Sequence, residues 1–205
     1  MTTNIYVLDT ETTGLGGAPK DCIVEIGIAR VDIDRCKVYP EFSRIINAPL
    51  TEQQKKEAWV FNNTDLTPED CMSSPHFTGN VASELNCCYA GLPFTAYNRA
   101  FDFDSFLDLD PWNFHAGYMP CIMESTRQCL NITGRWLKAQ EAYDILCPDN
   151  PAELPDGREQ HRALSDAICE GWIMLRLLER FDEVREYYDE CYLGLQEPND
   201  FWWRL

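Results

Sequence analysis

The sequence of 205 residues predicts a single α/β domain in which helices flank a mixed β-sheet. The chain opens with strand-like runs joined by short turns, a pattern typical of an antiparallel meander. A short apolar run at 93–97 then leads into a helix-like segment, and apolar residues with three-four spacing recur from Leu164 to Leu178 in a helix expected to end at about Phe181. We therefore expect a core over about residues 4–181 and a helical, aromatic extension over 182–205.

The first strand ends in two acids. Ile5 to Leu8 are apolar, Asp9 follows directly, and Glu11 comes two positions later. Residues i and i+2 of a strand point to the same face, so both carboxylates can approach one point. Like charges this close are costly unless a cation neutralises them, and Mg²⁺ prefers oxygen ligands. One interpretation is a metal site, and the other is a strand that ends in exposed acids. For an Asp-x-Glu pattern without further acids, the second interpretation is favoured.

The next elements follow from apolar runs and capping residues. A second strand at 23–31 contains Glu25, which could face the first two acids or solvent, and a third strand covers 38–46. Thr51 and Thr67-Pro68 mark helix starts. Later helices are predicted at 81–90, 123–130 and 136–146, with loops at 108–118 and 147–160. The segment His161–Ala167 is predicted to run into a long helix that ends at about Phe181. The expected buried stripe of the last of these helices consists of Leu164, Ile168, Gly171, Trp172, Leu175 and Leu178.

Two later junctions supply further ionisable side chains. Asp102 stands at the helix start after the strand at 93–97, where it could serve chemistry or simply favour the helix N-terminus, and Asp104 has the same two readings. His161 and Asp166 are five residues apart and would lie on different faces of one helix. They can converge only if His161 lies on the preceding loop and Asp166 in the first helical turns.

Composition narrows the functional classes. The net charge of −17 argues against tight, non-specific duplex binding through a broad basic face, but it is compatible with an enzyme that holds a few nucleotides. No secretory signal or membrane-length apolar run is evident, so a cytoplasmic protein without a membrane partner is expected. The ten cysteines form no Cys-x-x-Cys pair and are expected to be reduced core residues, with a zinc site as the weaker alternative.

Three segments together resemble the DEDDh (DnaQ-like) family of 3′-to-5′ exonucleases. The first is Asp9-Thr10-Glu11-Thr12-Thr13-Gly14-Leu15, the second is Asn98-x-x-Phe101-Asp102 with a following Phe106-Leu107, and the third is His161-Arg162-Ala163-Leu164-Ser165-Asp166-Ala167. The resemblance spans about residues 4–180 and implies the ribonuclease H-like fold, with a central five-stranded mixed sheet. The sequence departs from the family at Tyr97, where many relatives carry His, and by one extra residue between Asp102 and Phe106-Leu107.

The resemblance also implies a mechanism. Two divalent cations, Mg²⁺ or Mn²⁺, about 4 Å apart would clamp the scissile phosphate. Asp9, Glu11, Asp102 and Asp166 would hold the ions, and His161 would be the general base. The reaction would release nucleoside 5′-monophosphates from the 3′ end of single-stranded DNA or RNA.

Further residues are assigned to the substrate by the same resemblance. Thr12, Thr13 and Leu15 would lie close to the terminal nucleotide, and Phe101 would lie on the opposite wall. Gly14 and Asn98 are also expected to bind the substrate. Phe106 could join that wall, although core packing is the favoured reading. The basic residues near the motifs, some of which could contact phosphates, are Arg99, Arg135, Lys138, Arg158 and Arg162.

Two alternatives remain open at this point. The chain could be a nuclease for short oligonucleotides, or an inert copy of the fold that acts as a nucleic-acid-binding or polymerase-associated subunit. A homodimer or a polymerase or repair partner is not determined by the sequence. Trp202 and Trp203 are expected to pack on the body of the domain, with partner docking as the alternative.

Overall fold

The computed structural model describes residues 3–196, so Trp202 and Trp203 lie outside the described residues. Five strands form one sheet in the order β3-β2-β1-β4-β5: β1 (Asn4–Thr12), β2 (Ile23–Asp32), β3 (Lys37–Ile45), β4 (Pro93–Thr95) and β5 (Gly117–Tyr118). The first three strands pair antiparallel, whereas β4 is parallel to β1 and to β5. The predicted meander and mixed sheet are confirmed. The strand β5 falls in the predicted loop at 108–118, because two residues are too few to show alternation.

Helices cover both faces of the sheet. They are α1 (Glu52–Glu57), α2 (Trp59–Asn63), α3 (Pro68–Ser73), α4 (Thr78–Tyr89), α5 (Ile122–Cys129), α6 (Ala139–Leu146), α7 (Ala163–Arg180) and α8 (Asp182–Gln196). Thr51 and Thr67 both cap their helices through capping boxes, as their positions predict. Helix α2 has only five residues and gives no periodic signal in the sequence.

The segment after β4 is a π-helix over Ala100–Leu107 rather than the predicted α-helix. The wider turn is visible in the bond from the backbone N–H of Asp108 to the carbonyl of Phe103, five residues earlier, at 2.9 Å. A π-helical turn accommodates one more residue than an α-helical turn. This turn therefore absorbs the extra residue noted after Asp102, and Asp102, Phe106 and Leu107 all remain buried.

Helix α7 is the centre of one of two large hydrophobic cores. It packs on β1, β2 and β3 and is covered by α5, α6 and α8. Because it is enclosed on most sides, its buried surface is broader than the predicted stripe: Ile173, Met174 and Leu177 are buried, whereas Leu164, Ile168 and Trp172 are only partly so. Neither α7 nor any other helix within residues 3–196 has the length and apolar character of a membrane span.

The second large core lies on the other face of the sheet. Alternate residues of β1 serve the two cores: Ile5 and Val7 face the α7 side, and Leu8 faces the side of α4 and the π-helix. Asp9 and Glu11 continue the row of Ile5 and Val7 and therefore lie on the α7 side. All ten cysteines are free thiols.

Candidate active site

The site begins where β1 leaves the core. Asp9 and Glu11 stand opposite Gly27 and Glu25 of β2, and the regular pairing is interrupted just after Glu11. Both side chains are partly buried, because the row of β1 that carries them is covered by the start of α7. The strand geometry thus presents two carboxylates side by side at the edge of the core.

Helix α7 is clamped onto β2 at its first residue. Arg162, the residue before the helix, provides no side-chain cap. Glu25 of β2 supplies the missing acceptor, since its Oε2 accepts the backbone N–H of Ala163 at 3.2 Å. Gly27 lets the helix approach: a Cβ at this position would lie 2.1–2.4 Å from backbone atoms of Ala163 and Leu164. This close contact brings the first turn of α7 over β1.

An ion pair holds the same junction. The guanidinium of Arg162 donates to both oxygens of Glu25, at 2.8 and 2.9 Å, and to Asp65 at 2.9 Å. Glu25 is 2% exposed, so its side chain faces the interior of the protein and not solvent. Bidentate pairs of this kind fix orientation as well as charge. The segment that contains His161 is therefore tied to β2 and to the loop before α3.

Three of the four predicted acids converge. Asp9, Glu11 and Asp166 each present a carboxylate oxygen, and these oxygens lie within 4.8 Å of one another. Asp166 is in the first turn of α7, as the spacing requires, and its Oδ1 accepts the backbone N–H of Gln160 at 3.3 Å. The arrangement matches the donor set that a hard divalent cation prefers.

The fourth acid, Asp102, stands beside this group rather than within it. Its Oδ1 accepts the hydroxyl of Thr10 at 2.7 Å, and the side chain is 4% exposed. Thr10 lies between Asp9 and Glu11 on the opposite face of β1, so it holds Asp102 at the border of the two cores. The charge of Asp102 still reaches Asp9 and raises the pKa of that carboxyl.

The pKa values record the crowding of the acids. Burial, and then the charges of Glu170, Asp102 and Asp166, hold the pKa of Asp9 well above its usual range. Burial and the charge of Asp166 raise the pKa of Glu11 to about 8. Burial is also the main reason why the pKa values of Asp102 and Asp166 rise to about 7. Without a cation, the folded protein therefore favours protons on these oxygens.

Glu170 is a further buried acid, and it lies outside the three sequence motifs. It is 4% exposed, and its Oε2 accepts the backbone N–H of Tyr97 at 3.1 Å. The bond joins α7 to the segment that leads from β4 to Asp102. Glu170 follows Asp166 by four residues, so the two acids lie on the same face of α7. An acid inside the apolar pattern of this helix is the sequence feature that could have identified Glu170.

His161 lies on the loop before α7, as predicted, with a positive φ of 49°. Its ring meets the edge of Trp59 in α2, with ring centroids 5.0 Å apart. Burial and the positive charge of Lys138 lower the pKa of His161 below its ordinary value. The imidazole is therefore neutral at pH 7 and able to accept a proton. Trp59 is 54% exposed beside it, and nothing in the sequence marks this residue.

The turn after β1 contains the residues expected near the substrate. Leu15 is 89% exposed, whereas Thr13 is buried. The Thr13 hydroxyl accepts hydrogen bonds from the Cys22 N–H at 3.0 Å and the Gln54 amide at 3.1 Å. Thr12 donates to the carbonyl of Gly14 at 2.9 Å. Thr13 thus anchors the turn, and Leu15 projects from it.

The residues expected on the opposite wall lie just before and within the start of the π-helix. Asn98 is exposed, and Phe101 is partly buried with its ring 5.3 Å from that of Phe106. Phe106 itself is fully buried in the second core. Of the two phenylalanines, only Phe101 has a solvent-exposed part of the ring that a ligand could contact.

Comparison with known proteins places this arrangement in a family. The Exonuclease family model (RNase T) matches residues 6–169, which include every acid described above except Glu170. No curated protein matches the sequence.

Solved structures share the fold at low sequence identity. A full-length 3′-exonuclease has a TM-score of 0.63 and 14% identity, over 87% of this chain and 61% of that one. A 3′-exonuclease that recognises the 3′ end of a histone mRNA stem-loop has a TM-score of 0.64 and 12% identity, over 88% and 83%. Exonuclease I of E. coli, in complex with a dA16 oligonucleotide, has a TM-score of 0.63 and 14% identity, over 90% and 42%. The chain thus spans less than two thirds of the first and third of these proteins. The sheet order, the acids at the end of β1 and the family match together show that the chain belongs to the RNase T exonuclease family.

Proposed function

We propose that the protein is a metal-dependent 3′-to-5′ exonuclease that hydrolyses phosphodiester bonds at the 3′ end of single-stranded DNA or RNA. The observation that carries this proposal is the group of Asp9, Glu11 and Asp166, with carboxylate oxygens within 4.8 Å of one another. Carboxylates this close together lower the stability of the metal-free protein. Such an arrangement is typical of a functional site, here one that binds divalent cations.

The donor set fits hard divalent cations. Asp9, Glu11 and Asp166 would hold one ion, and Asp102, fixed by Thr10, would contribute to a second. When bound, two ions of Mg²⁺ or Mn²⁺ supply charge that stabilises the attacking and leaving oxygens of the phosphate. The raised pKa values support this assignment, because a site with surplus negative charge favours a cation as well as a proton.

His161 is proposed as the general base. Its pKa is lowered by burial and by Lys138, so the ring is neutral at pH 7 and available to accept a proton from the attacking water. The edge contact with Trp59 limits the ring on one side, and the ion pairs of Arg162 fix the backbone next to it. The products would be nucleoside 5′-monophosphates.

The substrate would enter between the turn after β1 and the π-helix. Backbone groups of Thr12, Thr13 and Gly14 would hold the terminal nucleotide, and the exposed side chain of Leu15 would contact its base. Asn98 and the exposed part of Phe101 would form the facing wall, since base–aromatic stacking tolerates any sequence. The similar structures include one bound to a DNA oligonucleotide and one that recognises an RNA 3′ end, so both polymers are substrates to test.

The test is digestion of a 5′-labelled single strand. We expect one-nucleotide laddering with Mg²⁺ or Mn²⁺, and its loss with a chelator or with Asp9→Asn. Asp104→Asn is the matched control, because Asp104 is an exposed acid on the same π-helix as Asp102. Strand binding without laddering would instead indicate a binding subunit. Digestion of dinucleotides but not of longer strands would indicate a short-oligonucleotide nuclease.

A further inference from the structure

Two arginines beside α5, Arg99 and Arg127, differ from most other basic side chains of the described residues. Many basic side chains of this acidic protein are engaged in ion pairs, including those of Arg30, Arg44 and Arg176. Within residues 3–196, Arg99 and Arg127 form no ion pair with a carboxylate, and each lies over an aromatic ring instead. The guanidinium carbon of Arg99 is 5.0 Å from the ring centroid of Tyr118, and that of Arg127 is 4.6 Å from that of Trp136.

These two arginine–aromatic pairs flank one face of α5. Glu124 and Gln128 lie on this face, and they line both the cavity of about 500 Å³ that contains Arg127 and Trp136 and the cavity of about 220 Å³ that contains Arg99 and Tyr118. We call this surface the α5 groove; its residues are Arg99, Tyr118, Glu124, Arg127, Gln128 and Trp136. Its larger cavity falls in the size range of ligand pockets.

The α5 groove lies at the same end of the sheet as the candidate active site. β1, β4 and β5 are parallel, so the acids near the end of β1, Arg99 after β4 and Tyr118 at the end of β5 share the carboxyl edge. The loop before α6 ties the two together. The carbonyl of Leu137 accepts the hydroxyl of Tyr97 at 3.0 Å, and the next residue, Lys138, is close enough to lower the pKa of His161.

The side chains of the α5 groove have free surface. Trp136 is 49% exposed and Tyr118 is 38% exposed, so both rings retain area beyond their contact with arginine. The Nε of Arg127 donates to the carbonyl of Ile132 at 3.3 Å, which leaves its terminal nitrogens without a carboxylate. The Nε of Arg99 is buried without a hydrogen-bond partner among the described residues.

We propose that the α5 groove binds the single strand upstream of its 3′ end, with a base on Trp136 and backbone phosphates on Arg127 and Arg99. This inference rests on the proposed exonuclease function and deepens it. Arginines without acidic partners beside exposed aromatic rings are the combination that recognises single strands without sequence preference. The groove makes strands of several nucleotides, rather than dinucleotides, the preferred substrate.

Glu124 provides a second test of the proposal, because its removal should change strand binding in the opposite direction to removal of Trp136 or Arg127. It is exposed within the α5 groove and has no ion pair among residues 3–196, so it repels phosphates there. Its removal should strengthen binding of long strands, whereas removal of Trp136 or Arg127 should weaken it. A groove that plays no part in binding would give neither change.

The experiment compares the hydrolysis of a strand of about a dozen nucleotides with that of a dinucleotide. Trp136→Ala should raise KM for the long strand about tenfold and leave its kcat and the dinucleotide kinetics unchanged. Arg127→Gln should reduce the slope of log affinity against log salt by about one. Glu124→Gln should lower KM for the long strand. Phe77→Ala and Lys37→Gln are the matched controls, an aromatic 55% exposed and a cation on the strand at the far edge of the sheet.

A second measurement separates this inference from the proposed function. The affinity of each variant for the labelled strand is measured by fluorescence anisotropy in chelator, where no hydrolysis is needed. Weaker binding by Trp136→Ala than by Phe77→Ala would support the groove even if the wild-type protein hydrolysed nothing. Equal affinities, equal effects on both substrate lengths, or no strand binding by the wild type would overturn it.

Discussion

Removal of one carboxylate from the candidate active site should stabilise the metal-free protein. We choose Glu11→Gln, which keeps the size of the side chain and removes its charge. Burial and the charge of Asp166 raise the pKa of Glu11 from 4.5 to about 8. Between these values the folded carboxyl binds more protons than the unfolded one, so the stability of the wild type falls as the pH rises through this window. Below it both states are protonated, and the penalty vanishes.

The magnitude follows from the same rise in pKa. At about 1.4 kcal/mol per pH unit, the rise of the Glu11 pKa gives an upper limit of about 5 kcal/mol. Protonation of neighbouring acids relieves part of the repulsion, and Glu11 retains some contact with solvent, so we expect about 2 kcal/mol near pH 7. In a chain of 205 residues this corresponds to a rise in Tm of about 4–8 °C.

The assay is thermal and urea denaturation in chelator at about pH 5 and about pH 8. Glu190→Gln, at an exposed position in α8, is the matched control. Glu11→Gln should be more stable than the wild type at the higher pH, with a smaller difference at the lower pH. Excess Mg²⁺ should then stabilise the wild type more than the variant. If Glu11→Gln is no more stable than the wild type in chelator at about pH 8, the account of crowded, uncompensated acids is wrong.

Three further predictions concern catalysis and packing. His161→Ala should lower kcat by about 10²–10⁴ and leave the Mg²⁺ concentration for half-maximal rate unchanged; equal turnover at neutral pH would exclude His161 as the base. Gly27→Ala should destabilise the protein by about 3 kcal/mol in urea denaturation, because its Cβ would meet the backbone of α7, whereas Gly79→Ala, with nothing within 4 Å, should be neutral or stabilising; similar values for the two would contradict the clamp. Glu170→Gln retains an acceptor for its backbone partner, so it should be more stable than Glu170→Leu by about 1–3 kcal/mol, and the reverse order would exclude the hydrogen bond as the reason.

The sequence predicted features that depend on local pattern. Apolar runs and turn residues located the first three strands, Thr51 and Thr67 located two helix starts, and the spacing of His161 and Asp166 required a loop followed by a helical turn. These signals need only a residue and its near neighbours, because hydrogen bonds and side-chain direction within one element repeat with a fixed period.

Other features depend on contacts between distant segments and could not be read locally. The π-helical turn lies where Asp102 and Phe106 must both be buried although the chain has one residue more between them than the commonest family spacing. The two-residue strand β5 exists only because β4 lies beside it. Trp59 and Glu170 acquire their places from packing against His161 and Tyr97, which are far away in the chain.

The sequence alone determined which acids this chain offers and that Asp9 and Glu11 share a face, since a strand's period is a local property. The tertiary structure decided that Asp166 joins them while Asp102 stands aside on Thr10. The physical reason is that distances between elements are set by how closely α7 can approach β2, and Gly27 and Glu25 make that approach possible.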